Sequence, residues 1–450
     1  MFKRKINSEF DEWKEYCTKV KKKALVITGA RQVGKTTSII DYAKNHYKSY
    51  LYLDFYNDKE LKAIFDKDFD INRMIFSLSL RFPDIKLYPN ESVLIFDEIQ
   101  ECSLARMALK YFALDGRYDV IASGSLLGVK GYNRSFDAGI PVGYEYMVQM
   151  KSLDFEEFLL AMDYADENTI SYLKDCLNKR KKIDELLHKK LLSCFEEYLL
   201  VGGLPEVVTA YKNTHQYSFC LSALNSIISE YQHDFGKHLN KREETYVNSS
   251  ELNKILLTFK SIPNQIAKQN IRFKFSEISS NSRRRDFISA VEYLEDAGLI
   301  NLCYNLKTLS LPLALNVDDS AFKIYVDEPG IMAALLDPKL REEMLFSSLG
   351  SGKGALYENI ISSTLVRNKI PLYYFYKSSG LEIDFIIDYQ NELTLVEVKA
   401  ENGATKSSRY ILDNFDTYHV KNMIKFTSSN IGYHDGVLTL PLYLAFLIKS

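Results

Sequence analysis

The residues best suited to chemistry lie in Gly29–Thr36, where Gly-Ala-Arg-Gln-Val-Gly-Lys-Thr matches the phosphate-binding pattern G-x-x-x-x-G-K-[ST]. Gly29 and Gly34 permit a loop whose backbone N–H groups point at phosphate oxygens, and the following helix adds the positive end of its dipole. Lys35 would reach the β- and γ-phosphates, and the Thr36 hydroxyl would bind Mg²⁺. The residues predicted to contact a nucleotide are Gly29, Ala30, Arg31, Gln32, Val33, Gly34, Lys35, Thr36 and Thr37.

The sequence on both sides of this loop supports the same interpretation. The apolar residues 24–28 predict a buried strand before the loop, and residues 36–46 carry Ile39, Ile40 and Ala43 at helical spacing after it. A strand, a loop and a helix in this order are the context that the motif requires. A chance match of a Gly-rich turn is therefore disfavoured.

An acidic pair, Asp97 and Glu98, follows the apolar run 92–96. A run that is apolar at every position is typical of a strand buried on both faces of a parallel sheet, and ligands bind at the C-terminal ends of such strands. We expect Asp97 to hold Mg²⁺ through water and Glu98 to act as the general base on the attacking water. Without the loop at Lys35, a solvated acidic pair after a core strand would be the simpler interpretation.

Residues 119–122 predict another strand, which ends in Ser123-Gly124-Ser125. A hydroxyl group here could hydrogen-bond the γ-phosphate or the attacking water as a sensor, although Ser-Gly-Ser is also an ordinary turn. The sequence does not distinguish Ser123 from Ser125 in this role. With further strands at 50–55 and 146–150, five strands separated by helical patterns predict a parallel α/β sheet.

Length and composition limit the class of protein. The 450 residues predict two to four domains, and 46% hydrophobic and 26% charged residues are typical of a soluble globular protein. The net charge of −2 excludes a global basic field, so any contact with nucleic acid must be local. No apolar run is long enough to span a bilayer, and no signal peptide is expected. Scattered cysteines without a Cys-x-x-Cys pair predict reduced thiols in the cytoplasm and no zinc site.

The middle of the chain predicts two further regions. Residues 155–217 are helical and amphipathic until the Gly-Gly-Leu-Pro block at 202–205 interrupts them, which predicts a helical annex. Residues 250–304 predict short helices followed by a β-wing, as in a winged helix-turn-helix.

Three arginines, Arg283, Arg284 and Arg285, open the last helix of this winged-helix pattern. Positive charge at a helix N-terminus opposes the helix dipole unless an anion lies there. A nucleic-acid phosphate backbone is one such anion. Internal salt bridges, for example to Glu292 or Asp296, are the alternative.

The last hundred residues contain a second group suited to catalysis. Glu358 lies on a predicted helix, Asp384 on a strand, and Glu397 and Lys399 point to one face of the return strand. We expect Asp384 and Glu397 to hold Mg²⁺, Glu358 to bind it directly or through water, and Lys399 to position the nucleophile. Carboxylates and a lysine in this order predict metal-assisted phosphodiester hydrolysis. A purely structural pair of Glu397 and Lys399 is the alternative.

Taken together, the chain resembles a family of predicted prokaryotic ATPases. This family joins an AAA-type P-loop core to a conserved C-terminal half of poorly defined function, which ends in a PD-(D/E)XK restriction-endonuclease-like fold. The resemblance covers nearly the whole chain. The shared blocks are Gly29–Thr36, Asp97-Glu98, Ser123–Ser125, Leu153–Phe158, the Gly-Gly-Leu-Pro-Glu block ending at Glu206, Tyr357–Asn359, Glu382–Asp384 and Glu397–Lys399.

The chain departs from this family in two places. Many members carry a Gly-Arg pair before the Leu153 block, but residues 141–145 contain no arginine here. If that arginine acts as a finger, Arg134 or Arg117 would have to replace it, so assembly into an AAA-type ring is not predicted. The family's first nuclease carboxylate is only loosely placed, and Glu358 is its match.

These observations predict an α/β protein with four parts: a P-loop ATPase core at 1–160, a helical annex at 161–245, a winged-helix-like domain at 246–335 and a nuclease-like α/β domain at 336–450. We expect ATP hydrolysis with Mg²⁺, coupled to action on DNA through the winged helix and the nuclease-like domain. One alternative is an ATP-driven switch or scaffold whose C-terminal domain binds nucleic acid without cutting it. Another is a nucleotide-gated signalling protein with no nucleic-acid partner.

Overall fold

A computed structural model of the chain describes residues 2–125, 143–240, 249–279, 282–338, 341, 351–400 and 405–449. The chain divides into two compact units, Lys3–Ser152 and Leu153–Ser450, with Phe2 grouped with the second. Among the helices of the described residues, none has the length and hydrophobicity that crossing a bilayer requires. Arg134 and the predicted domain boundary at 245 and 246 lie outside the described residues.

The first unit alternates strands and helices, as the sequence predicted. The strands are β1 (Ala24–Thr28), β2 (Ser49–Asp54), β3 (Ser92–Asp97), β4 (Asp119–Ser123) and β5 (Glu145–Gln149), and the helices are α1 (Ile6–Lys19), α2 (Lys35–His46), α3 (Lys62–Phe65), α4 (Ile71–Arg81) and α5 (Ser103–Asp115), with short 3₁₀ segments at Lys59–Leu61 and Ile99–Glu101.

The five strands form one sheet in the order β2-β3-β4-β1-β5, and every neighbouring pair is parallel. This confirms the predicted parallel α/β core. Because the strands are parallel, their C-terminal ends share one edge of the sheet, where such sheets bind ligands. The strand order also places β4 between β1 and β3, so the end of β4 lies between the loop after β1 and the acidic residues that end β3.

Apolar side chains cover both faces of this sheet. Every residue of β3 and β4 is buried, which explains why the interior positions of these strands are apolar without alternation. Helix α1 packs on the same unit: Phe10 meets Tyr42 of α2 edge to face at 5.0 Å, and the fully buried Trp13 donates from Nε1 to the Lys23 carbonyl at 2.8 Å. The segment before β1 is therefore a fixed part of the unit.

The second unit begins with helices. They are α6 (Phe155–Ala161), α7 (Glu167–Asn178), α8 (Glu185–Val201), α9 (Pro205–Thr214), α10 (Tyr217–Asn240), α11 (Ser249–Ala267), α12 (Arg284–Asp296), α13 (Pro329–Leu335), α14 (Ser351–Arg367), α15 (Lys406–Asp413) and α16 (Phe415–Tyr418), with 3₁₀ segments at Phe275–Glu277, Leu313–Asn316 and Leu442–Leu447. Helix α6 opens with a capping box, in which Asp154 and Glu157 each accept the other's backbone N–H, at 2.9 and 3.0 Å.

The strands of the second unit form one eight-stranded sheet. They are β6 (Ile300–Leu306), β7 (Val317–Val326), β8 (Tyr373–Tyr376), β9 (Glu382–Tyr389), β10 (Glu392–Val398), β11 (Asn422–Thr427), β12 (Gly432–His434) and β13 (Val437–Pro441). Their order is β12-β13-β11-β10-β9-β8-β6-β7. β6, which overlaps the end of the predicted winged-helix segment 250–304, pairs antiparallel with β7 at one end of this sheet and in parallel with β8.

The hairpin that carries Asp384 and Glu397 is formed by two neighbouring strands of this sheet. β9 and β10 are antiparallel with Phe385 opposite Val396, and the turn residues Gln390 and Asn391 are both left-handed, with φ of 57° and 63°. This register brings the end of β10 against the start of β9, where Asp384 lies.

The Gly-Gly-Leu-Pro block is a tight junction between backbone segments. Gly203 donates its N–H to Glu328 Oε1 at 2.7 Å and accepts from Leu153 N at 2.8 Å. A Cβ atom on Gly203 would lie 1.9 Å from the Leu153 carbonyl oxygen, and one on Gly202 would lie 2.0 Å from Glu328 Oε1. Only glycine fits at these two positions, because the neighbouring backbone and carboxylate occupy the space of a side chain.

We predict that Gly203→Ala destabilises the second unit by roughly 1–3 kcal/mol, because the added methyl group overlaps backbone that cannot move aside. Gly354→Ala is the matched control. Gly354 lies in α14 with nothing within 4 Å of its Cβ position, so alanine should stabilise the helix by about 1 kcal/mol. Thermal melts monitored by circular dichroism measure both changes. Equal melting temperatures for Gly203→Ala and the wild type would contradict the junction.

Candidate functional site

The loop between β1 and α2 has the backbone that a phosphate-binding loop needs. Gln32 and Gly34 are left-handed, with φ of 62° and 95°, and Gly29 has a φ of 140°. A Cβ atom on Gly29 would lie 2.1 Å from the Met150 carbonyl oxygen, so glycine is required there by packing as well as by conformation. These three positive φ angles turn the loop over the N-terminus of α2, which begins at Lys35.

Lys35 lies inside this loop. Its ammonium donates to the carbonyl oxygens of Gly29 at 3.0 Å and Ala30 at 2.8 Å. Burial lowers the pKa of Lys35 to about 8, although the carboxylates of Glu98 and Asp97 raise it in part. A bound polyphosphate would offer the ammonium negatively charged oxygens in place of these two carbonyl oxygens.

Asp97 is the centre of the hydrogen bonds at this edge of the sheet. Its Oδ2 accepts from the Thr36 hydroxyl at 2.8 Å and from the Tyr52 hydroxyl at 2.7 Å, while Oδ1 accepts from the Ser123 hydroxyl. The structure therefore brings Thr36, Asp97 and Ser123 together. Thr36 and Asp97 present the oxygen ligands that Mg²⁺ prefers, so these residues fit the ion.

Glu98 adopts a left-handed conformation with φ of 49° directly after β3. The Gln100 side chain donates from Nε2 to Glu98 Oε2 and so fixes the orientation of the carboxylate. A left-handed conformation is unfavourable for glutamate and persists where the surroundings enforce it, most often at functional sites.

Ser125 and Arg117, the alternative candidates for the sensor and the arginine finger, have different hydrogen-bond environments. The hydroxyl of Ser125 is buried and has no hydrogen-bond partner within the described part of the chain, whereas Ser123 is engaged by Asp97. Arg117 donates to Asp115 and Asn72, both at 2.8 Å. Ser123 is therefore the serine that contacts the acidic cluster directly, and Arg117 is held in a local ion pair.

In the second unit, the predicted C-terminal residues line one cavity of about 650 Å³. Glu358 comes from α14, Asp384 from β9, Glu397 from β10, and Lys399 follows β10 directly. Lys399 lies between two carboxylates, with Nζ at 3.1 Å from Asp384 Oδ2 and 2.6 Å from Glu397 Oε2. The structure thus places these four predicted residues around one cavity.

The carboxylates of Asp384 and Glu397 and the Lys399 ammonium act on one another electrostatically. Burial and the neighbouring Asp384 carboxylate raise the pKa of Glu397 to about 7, against the opposing effect of Lys399. Burial alone would lower the pKa of Lys399, but the two carboxylates outweigh it and raise that pKa. Asp384 is held by the backbone N–H of Val398 at 2.8 Å, and Glu397 accepts from the Ser408 hydroxyl.

A second lysine, Lys323 of β7, also lines the cavity. Its ammonium lies 3.1 Å from Glu358 Oε1 and 3.2 Å from Glu382 Oε1, and the Tyr325 hydroxyl also donates to Glu358. Burial would lower the pKa of Lys323, but the surrounding carboxylates, including Asp384, raise it. Glu358 is therefore neutralised by β7 residues, while Asp384 and Glu397 share Lys399.

The residues of this cavity could bind Mg²⁺ only through a small number of protein ligands. Across the described residues, no group of three or more His, Cys, Asp or Glu side chains is placed to hold a metal ion. Mg²⁺ commonly keeps several waters and binds one or two carboxylates, so Asp384 and Glu397 together would suffice. Lys399 now occupies the space between those two carboxylates.

The three arginines at the start of α12 do not form a uniform basic surface. Arg284 donates to the carbonyls of Ser320 at 3.0 Å and Asp319 at 2.8 Å, and its guanidinium lies 5.3 Å from the Phe322 ring centroid. Arg285 lies 3.6 Å from Asp286. Arg284 thus holds α12 on β7, and internal contacts explain it without a phosphate.

Several residues of these two sites escaped prediction from the sequence. They are Tyr52 and Gln100 near Asp97, Lys323, Tyr325 and Glu382 in the cavity, and Ser408, which donates to Glu397. Lys323 carried a usable signal, since it is a lysine inside the apolar strand 321–326. The others lie in ordinary local sequence and are recruited by contacts distant along the chain.

Three family models match separate segments of the chain. An AAA domain matches residues 21–159, a domain of unknown function (DUF8612) matches residues 193–342, and another (DUF4143) matches residues 353–444. No curated protein matches the chain. The DUF4143 match covers the cavity carboxylates but carries no statement of activity.

Solved structures give weaker likenesses. The Walker-type ATPase paby2304 of Pyrococcus abyssi is 14% identical over 74% of this chain and 96% of that one, with a TM-score of 0.42. The Aeropyrum pernix ORC2 protein, in ADPNP–ADP complexes, is 10% identical over 79% and 94%, with a TM-score of 0.39. AMPPCP-bound DnaA from Aquifex aeolicus is 12% identical over 66% and 88%, with a TM-score of 0.24.

These TM-scores are low, so the assignment rests on the AAA-domain match together with the strand order and loop geometry described above. Residues 21–159 therefore match an AAA-type P-loop domain.

Proposed function

We propose that the first unit binds ATP with Mg²⁺ and hydrolyses the bond between its β- and γ-phosphates. The observation that carries this proposal is the contact of Asp97 with both Thr36 and Ser123, beside the glutamate that follows it. A site that only bound phosphate would not need a carboxylate in this position. The arrangement supports hydrolysis because a general base, Glu98, stands next to the metal-binding pair.

Each residue of the site has one expected role. Lys35 would turn from the loop carbonyls to the β- and γ-phosphates, and the loop N–H groups would hold the phosphate oxygens. Thr36 and Asp97 would hold Mg²⁺, which neutralises phosphate charge when it is bound. Glu98 would accept the proton of the attacking water, and Ser123 would hold Asp97 in position.

The first test is Lys35→Ala, which removes the cation that faces the phosphates. We expect binding of a fluorescent ATP analogue to fall below detection at millimolar nucleotide. Lys44→Ala, on the exposed side of the same helix, is the control and should bind like the wild type. If Lys35→Ala bound the ATP analogue as well as the wild type, the proposed nucleotide site would be wrong.

The second test is Glu98→Gln, which keeps the shape of the side chain and removes its basicity. Turnover should fall by about 10²–10⁴-fold, because a positioned general base contributes that much to rate. Nucleotide binding should persist, so ATP should remain trapped on the protein. Phosphate release at the wild-type rate would assign the base elsewhere.

We further propose that the cavity of the second unit is a nuclease-like site for Mg²⁺-dependent cleavage of nucleic acid, probed here as DNA. The favouring observation is that Glu358, Asp384, Glu397 and Lys399, from one helix and a hairpin, line the same cavity. Asp384 and Glu397 would hold Mg²⁺, which would activate water when bound. Lys399 would then be available to the phosphate.

The alternative function for this cavity is binding of nucleic acid without cleavage, in an ATP-driven switch or scaffold. The ion pairs of Lys323 and Lys399 favour it, because buried carboxylates need such partners even without catalysis. Contact of Arg283 or Arg285 with a phosphate backbone is part of both proposals.

Plasmid nicking with Mg²⁺ distinguishes cleavage from binding. We expect the wild type to nick supercoiled plasmid and Lys399→Ala to lose at least about 10²-fold of this activity, as a removed charge-stabilising group would. Lys421→Ala, whose lysine lies over the Phe415 ring and does not line the cavity, should nick like the wild type. Absence of nicking by the wild type, with a mobility shift retained, would favour the scaffold.

A further inference from the structure

Arg4 makes a contact with the nucleotide loop that neither the motif nor the matched AAA segment includes. It lies before α1 and outside residues 21–159. Its Nη1 donates to the Val33 carbonyl at 2.9 Å, and its Nη2 donates to the Lys151 carbonyl at 2.6 Å. One guanidinium therefore spans the loop and the segment that follows β5.

The Val33 carbonyl needs a partner. Val33 is only 3% exposed and lies between two left-handed residues, Gln32 and Gly34. A non-glycine residue in this conformation is unfavourable and persists only where surrounding contacts enforce it. A buried carbonyl also requires a donor. Arg4 supplies a charged donor at this point of the loop.

The second nitrogen of the Arg4 guanidinium, Nη2, links the loop to the segment that follows β5. Lys151 follows Met150, whose N–H donates to the Thr28 carbonyl at 2.8 Å and whose carbonyl packs against Gly29. The segment Met150–Lys151 therefore touches the beginning of the loop, and Arg4 joins it to Val33 near the end. Both ends of the loop are fixed by one side chain and one segment.

Arg4 is itself held by a well-packed helix. Helix α1 begins two residues later and is anchored by the buried Phe10 and Trp13. A rigid base lets a planar guanidinium serve two carbonyls at once, which a lysine ammonium on a flexible chain cannot do equally well.

We propose that Arg4 is a positioning residue of the nucleotide site. It holds the loop in its phosphate-binding conformation and links that conformation to Met150–Ser152, the last residues of the first unit. This inference rests on the proposed binding of ATP. Nucleotide binding at the loop is thereby transmitted to the segment through which the chain leaves the ATPase sheet.

The test uses the full chain with Mg²⁺ and a fluorescent ATP analogue. Arg4→Ala should weaken nucleotide binding by about tenfold, because it removes charged hydrogen bonds that organise the loop. Arg4→Lys should fall between Arg4→Ala and the wild type. Arg73→Ala is the matched control, since Arg73 also donates to two main-chain carbonyls of the first unit, Ile64 at 3.0 Å and Asp68 at 2.8 Å.

Hydrogen exchange provides a readout that general stability would not move. In the wild type, the ATP analogue should slow amide exchange both in residues 29–36 and in residues 150–152. In Arg4→Ala at saturating nucleotide, the slowing should remain in the loop and disappear from 150–152. Arg73→Ala should retain both effects.

The outcomes separate this inference from the ATP proposal. If the wild type binds nucleotide and Arg4→Ala binds it within twofold, the positioning role is overturned while the ATP site stands. An equal loss of affinity in Arg4→Ala and Arg73→Ala, in proportion to melting temperature, would also overturn it. If the wild type binds no more nucleotide than Lys35→Ala does, the ATP site itself fails and the role of Arg4 falls with it.

Discussion

The carboxylate of Asp97 is the interaction on which the first unit's site depends. It receives hydroxyl groups from α2, β2 and β4, and it does so at the end of a fully buried strand. A buried carboxylate is unfavourable unless its oxygens are hydrogen-bonded. Three hydroxyl donors meet that requirement and, in doing so, fix the start of the P-loop helix relative to the sheet. The strand order matters here, because only a strand between β1 and β3 can bring Ser123 to this carboxylate.

The second unit solves a similar problem with ion pairs. Its cavity is lined by four carboxylates and three lysines, and two of these lysines, Lys323 and Lys399, each serve two carboxylates. Buried ions persist when their partners and remaining hydrogen bonds are supplied, as Tyr325 and Ser408 do here. The same neutralisation that makes the cluster stable also occupies the groups that a metal ion or a phosphate would contact. Chemistry at this cavity therefore requires Lys399 to exchange partners.

The parts that the sequence could predict are those encoded by short, local patterns. The P-loop, the apolar strand before Asp97 and the β9–β10 hairpin each carry their own spacing, and the structure confirms these elements. Tyr52 and Lys323 could not be assigned in the same way, because their roles come from contacts 45 and 35 residues away along the chain. The Gly-Gly block was recognisable as a break in a helix. Its actual constraint, close backbone packing on Leu153 and a carboxylate from Glu328, depends on segments that the local sequence does not reveal.

The position of β6 and β7 in the large sheet has a consequence for the two matched segments in this half of the chain. The two domains of unknown function meet within one hydrogen-bonded layer, since β6 lies in one matched segment and its neighbour β8 lies in the other. Lys323 and Glu358 likewise come from different segments and share one ion pair. A cut between the two segments would leave the backbone groups of β8 unpaired along one side, inviting association with other strands. Neither matched segment alone therefore provides the complete sheet, even though sequence comparison divides them.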